Sequence, residues 1–151
     1  IANELVRHRI ASFAQESTRY CNYSKEKFGG EIAVIQPFWM QDNSKEFISW
    51  VMACNTAEKQ YLHMTYDLRL RPEQARCVLP LCLKTEVVVT ANYREWRNIF
   101  KLRTPVAAHP QMRELMCPLL KELQSKIPVV FDDIYTYWPE DDQTGKESVK
   151  K

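Results

Sequence analysis

TEVVVTANYREWRNIFKLR, residues 85–103, changes its period half-way along. The first seven residues are rich in β-branched side chains and read as a strand. Asn92 follows as a helix N-cap, after which Trp96, Ile99 and Phe100 fall on one face of a helix. Arg103 lies at i+7 on that same stripe, where a guanidinium must find a buried partner or a ligand, because an unpaired buried charge is costly. A strand running straight into an amphipathic helix places the chain in an α/β (α+β) class, with helices packed on a small mixed or antiparallel sheet.

Working outward, HPQMRELMCPLLKELQSKIP (109–128) carries Met112, Leu115, Met116, Leu119 and Leu123 at helical spacing, with a bend expected at Pro118. On the other side, Arg71-Pro72-Glu73 opens a helix that Pro80 stops. The longest helix is predicted within 42–68, with Asn43 as N-cap, Glu46 three residues on, and Phe47, Trp50, Val51 and Cys54 as its inner face. EIAVIQP (31–37) reads as a strand. Residues 1 to about 10 read as the end of a helix, and 11–30 as an aperiodic loop. The chain opens without methionine, inside that helix, so a missing N-terminal part is expected. The boundaries expected are one domain over 1–138 and a polar, disordered tail over 139–151.

At 151 residues with 45% hydrophobic side chains and only three glycines, the chain has enough apolar mass for one packed core. Its 21 Lys and Arg against 19 Asp and Glu leave a net charge of +2, too little for a nucleic-acid surface, which argues against an RNA-binding protein using Phe13, Tyr20 and Tyr23 as stacking platforms. No apolar run reaches the roughly 18 residues that span a bilayer, and no signal-peptide pattern is present. Cys21, Cys54, Cys77, Cys82 and Cys117 contain no C-x-x-C pair and suit reduced thiols of a cytoplasmic protein, acting as small buried hydrophobes. His8, His63 and His109 give no metal-ligand spacing, and Cys21, the thiol nearest the cationic segment, has no basic partner that would make it a nucleophile.

Positive charge is concentrated locally. Arg7, His8, Arg9 and Arg19 lie close in sequence, while Arg76, Arg94 and Arg103 come from later elements; convergent guanidinium forks suit an anionic ligand, even one with several phosphates. With no Gly-rich phosphate loop, side chains must hold it. Arg97 and Arg113 read as surface arginines loosely paired with neighbouring acids.

These residues resemble the flavin-dependent thymidylate synthases. The family signature is Arg-His-Arg, seven residues, then Ser, and Arg7-His8-Arg9, IASFAQE and Ser17 reproduce it. STRY (17–20) resembles the segment that follows, EQARCVLPL (73–81) the family's Ala-Arg-x-x-Leu-Pro stretch, and NYREWRNIFKLR (92–103) its Asn-x-Arg helix ending in Leu-Arg. The chain departs from the pattern at Glu4, where the family often has Gln, at Ala14-Gln15, and at Ala108-His109-Pro110-Gln111 in place of Ala-Gln-Trp-Glu.

The resemblance implies an enzyme that methylates dUMP to dTMP, with carbon from methylenetetrahydrofolate, hydride from reduced FAD and NADPH as reductant, working as a homotetramer; the alternative is a weak or inactive nucleotide- and flavin-binding fragment of the same ancestry. It also implies roles. Arg7, His8, Arg9, Gln15, Asn92, Tyr93, Arg94 and Asn98 would contact FAD. Glu4, Arg7, Gln15, Glu16, Ser17, Thr18 and Arg19 would contact dUMP, with 17–19 reaching in from a neighbouring subunit, while Arg76 and Arg103 grip it from the first. Arg103 would be the catalytic cation beside the uracil ring.

Overall fold

The computed structural model describes residues 1–23 and 30–135. Its elements are α1 (Ala2–Leu5), β1 (Ala11–Gln15), α2 (Lys45–Tyr66), α3 (Pro72–Ala75) continued by a 3-10 turn (Arg76–Val78), β2 (Val87–Ala91), α4 (Tyr93–Arg103), α5 (Pro110–Lys126) and α6 (Pro128–Phe131). The strands β1 and β2 form a two-stranded sheet. Its direction is antiparallel, since the Glu16 amide just past β1 donates to the Glu86 carbonyl just before β2, at 2.9 Å. Helices with a small antiparallel sheet are the class expected. The chain divides into two compact units, Ile1–Phe13 with Val89–Lys151, and Ala14–Val88. The tail boundary expected at 138/139 lies outside the described residues.

In the first unit, α4 forms as its sequence predicts. The Asn92 side chain accepts from the Glu95 amide, and Ile99 and Phe100 are fully buried. They pack with Leu5, Met112, Met116, Leu120, Phe131 and Ile134. The stripe of α5 is rotated from the expected one: Leu115 is exposed, while Arg113, Cys117 and Leu120 are buried. At about 100° per residue, Met112, Arg113, Met116, Cys117 and Leu120 form one continuous arc, whereas Leu115 falls beyond its edge. Arg113 is therefore no surface arginine. Arg97 does pair with an acid, Asp133 of the segment after α6, and it does so through both nitrogens of its fork at 2.6 Å.

In the second unit, Cys21, Tyr23, Tyr61 and Ala75 are the buried centre, with Leu62, Leu70, Val78 and Leu79 around them. The Tyr23 and Tyr61 rings meet edge to face at 5.8 Å. The cap of α2 is Ser44, whose side chain accepts from the Phe47 amide, and not Asn43. Asn43 instead takes the left-handed conformation, φ 64°, which Asn tolerates better than most residues. Of the expected inner face, Cys54 is buried and Phe47, Trp50 and Val51 are half-buried.

Four other expectations change. The helix at the start ends at Leu5, and residues 11–15 form a strand where a loop was expected. The segment 31–37 forms only one antiparallel bridge, Val34 to Leu83, in place of a strand. Among the thiols, Cys77 is exposed and Cys82 half-buried, so the small-hydrophobe role fits Cys21, Cys54 and Cys117. Burial pushes the Cys54 thiol up to about 11, with the Cys82 sulfur 3.6 Å away adding to the effect.

Candidate functional site

Two clusters of expected site residues form, one in each unit. In the first unit, α1 and the turn after it carry Glu4 and His8, while α4 carries Glu95, Asn98 and Arg103. His8 is buried and its imidazole lies between two residues of α4. Its Nδ1 is 3.1 Å from Glu95 Oε1, and its Nε2 accepts from Arg103 Nε at 3.1 Å. The rest of the Arg103 fork is held by Glu4: Nη1 makes an ion pair with the carboxylate, and Nη2 donates to the Glu4 carbonyl at 3.3 Å. Arg103 needed a buried partner or a ligand; Glu4 and His8 are the partners, and the Arg103 side chain is 18% exposed. Asn98 Nδ2 lies 3.3 and 3.4 Å from the two oxygens of Glu95. The side chains of Arg7, Arg9, Asn92, Tyr93 and Arg94 are exposed around this cluster's elements.

In the second unit, a turn after β1 presents Ser17, Thr18 and Arg19. Ser17 Oγ accepts from the Arg19 amide and from Arg19 Nε, both at 3.4 Å, and the Arg19 guanidinium stacks 5.2 Å from the centre of the Tyr20 ring. Arg76, on the 3-10 turn, donates to Thr18 Oγ1 at 3.1 Å. Thr18 and Arg76 thus meet within one chain. Glu16 accepts from the Cys21 thiol at 3.2 Å, and Gln15 is exposed at the end of β1.

Glu95 escaped the sequence reading because an acid three residues after Asn92 is explained by helix capping alone. The missed signal was hydrogen-bond balance: a buried imidazole whose Nε2 accepts from an arginine leaves an Nδ1–H that needs an acceptor. His109, the departure from the expected pattern, caps α5, its Nδ1 accepting from the Gln111 amide at 3.3 Å. Among the described residues, no group of three or more His, Cys, Asp or Glu side chains is placed to hold a metal ion, and no helix is long and apolar enough to cross a membrane.

Comparison with known proteins decides the ancestry. The model of the thymidylate synthase complementing protein family matches residues 1–129. The chain belongs to the thymidylate synthase complementing protein family. Among its relatives, the flavin-dependent thymidylate synthase of Corynebacterium aurimucosum is 30% identical over 148 residues, covering 89% of this chain and 57% of the relative. That of Pyrococcus abyssi is 31% identical over 124 residues, covering 82% and 50%, and that of Mycobacterium tuberculosis 31% over 145 residues, covering 87% and 56%. The chain thus spans about half the length of the curated family members it matches. Among solved structures, thymidylate synthase X from Helicobacter pylori with FAD and dUMP shares the fold at a TM-score of 0.64 and 23% identity, covering 88% of this chain and 66% of that one. The family match takes in both clusters, since residues 4–19, 76 and 92–103 all lie inside 1–129.

Proposed function

We propose that this chain carries the activity for which its relatives are named, flavin-dependent thymidylate synthesis: reductive methylation of dUMP to dTMP, with methylenetetrahydrofolate as carbon donor and NADPH as reductant, in a cytoplasmic homotetramer. The relatives' names and the FAD and dUMP bound to the Helicobacter pylori protein support the reading. The observation that carries it is Arg103, an Arg on an apolar helix stripe fixed by Glu4 and His8.

The residues present suit FAD. Arg7, Arg9 and Arg94 are exposed cations whose forks match diphosphate oxygens, and Asn92, Tyr93 and Asn98 offer amides and a ring beside them. Gln15 is also proposed to hold it, and His8, buried with both ring nitrogens engaged by Glu95 and Arg103, is proposed to support the site from within. FAD, when bound and reduced, supplies the hydride for the pyrimidine. On the substrate side, Ser17, Thr18, Arg19 and Arg76 form a group of two hydroxyls and two guanidinium forks suited to the phosphate of dUMP, with Glu16 and Arg7 as further contacts. Glu4 can face an anionic nucleotide because Arg103 already offsets its charge.

Hydride addition to C6 of the uracil ring pushes negative charge toward C5 and the carbonyl oxygens. A cation already in place stabilises that charge without reorganising during the step, and this is the role proposed for Arg103. No protein thiol needs to attack the ring. The test is dUMP-dependent oxidation of reduced flavin with dTMP formation. Arg103→Lys keeps the charge and loses the fork, so it should bind FAD almost normally, bind dUMP more weakly and turn over about 10² slower or worse, as when one preorganised donor is removed. Turnover at the parent rate with unchanged dUMP affinity would make Arg103 a structural residue.

A further inference from the structure

Glu95 lies at the meeting point of three residues proposed above for the flavin site. Its carboxylate faces His8 Nδ1 and Asn98 Nδ2, and its backbone N–H donates to the Asn92 side chain. It is buried in the first turn of α4, where the positive end of the helix favours a carboxylate.

The guanidinium of Arg103 has only donors. His8 Nε2, 3.1 Å from Arg103 Nε, must therefore accept. A neutral imidazole with its proton on Nε2 would set N–H against N–H there, and a protonated one would set cation against cation. Only the form with the proton on Nδ1 fits, and in this buried position that proton needs an acceptor. Glu95 Oε1, 3.1 Å away, is the acceptor, and Asn98 steadies its carboxylate from the other side.

We propose that Glu95 is a positioning residue: by accepting from His8 Nδ1 it fixes the imidazole tautomer whose Nε2 holds the Arg103 guanidinium in place. The proposal rests on the function argued above only in that it gives Arg103 a substrate to act on. An orienting carboxylate behind a functional histidine serves other sites in the same way, fixing the tautomer without touching substrate.

The full chain has three histidines, and His63 and His109 are both exposed, so His63→Gln and His109→Gln assign the His8 imidazole nitrogens in a 15N spectrum. The expected His8 signal is neutral, with hydrogen on Nδ1 and none on Nε2. Glu95→Gln retains an acceptor and should keep this tautomer and most of the turnover. Glu95→Leu should lose the tautomer and lower kcat about tenfold or more, with the loss in kcat exceeding any rise in KM for dUMP. A parent His8 that is charged or carries its proton on Nε2 overturns the proposal, as does a Glu95→Leu protein with unchanged tautomer and kcat. If Glu95→Leu does not fold, the parent spectrum and Glu95→Gln decide. A chain that makes no dTMP at all would refute the proposed activity, while the His8 spectrum would still decide the positioning role.

Discussion

A guanidinium ion pair contributes according to how its fork is used, and Arg97 and Arg103 use theirs differently. Arg103 is tied to the Glu4 carboxylate and to the His8 imidazole. Arg97 clamps Asp133 with two parallel 2.6 Å bonds and also donates to the Val130 carbonyl, fastening α6 and the segment after it to α4. The hydrogen bonds from Arg97 hold the Asp133 carboxyl at about 2, below its ordinary 3.8. A carboxylate whose folded pKa is depressed adds stability above its unfolded pKa and loses it as pH falls through the folded one. The Asp133 contribution should thus be present above about pH 4 and be lost progressively as pH falls below that and through about 2. Urea midpoints of the parent and Asp133→Asn should differ at pH 6 and draw together as pH falls from about 4 through about 2; a gap of the same size at pH 6 and at pH 2 would show that the pair's charge is irrelevant.

At the scale of elements, the same side chain can begin a helix and belong to a site. Asn92 caps α4, the helix that carries Glu95, Asn98 and Arg103. Asn92→Ala should cost about 1 kcal/mol of stability, whereas Asn92→Asp keeps the cap acceptor and should leave stability nearly unchanged. Denaturant unfolding of both variants checks this, and equal losses would mean that the cap bond is not what Asn92 contributes. The α4 helix was legible because its cap and stripe are local. By contrast β1 was not: ASFAQ has no β-branched residue, and its partner, β2, lies more than seventy residues on. The segment 31–37 erred the other way. Its Ile and Val content suits a strand, yet the backbone facing it is short, and only Ile35 to Cys82 and Lys84 to Ala33 close the bridge. In α5 the burial of Arg113 and Cys117 turned the stripe, because a polar residue was not counted as core.

Across the whole molecule, the motif residues were readable and their partners were not. Arg76 with Thr18 and His8 with Arg103 come from segments 58 and 95 residues apart, and pairings at that range follow from tertiary structure that no local spacing contains. Glu95 stayed hidden for the same reason. The assembly of chains is the other feature that local pattern leaves open, and α2 supplies the means to test the homotetramer proposed above. Of its 22 residues only Cys54 and Tyr61 are buried. At about 100° per residue, Ile48, Met52 and Tyr66 lie on the opposite face, all three exposed, with Met52 at 65%. Apolar side chains aligned on one helix face suit burial between chains. At micromolar concentration the full chain should sediment as a tetramer. Met52→Glu places a charge on that face without touching the core, so it should shift sedimentation toward smaller species while the helical circular dichroism stays unchanged. A parent protein that sediments only as monomer, with and without FAD, would remove the homotetramer, and a tetramer indifferent to Met52→Glu would place the contact away from this face of α2.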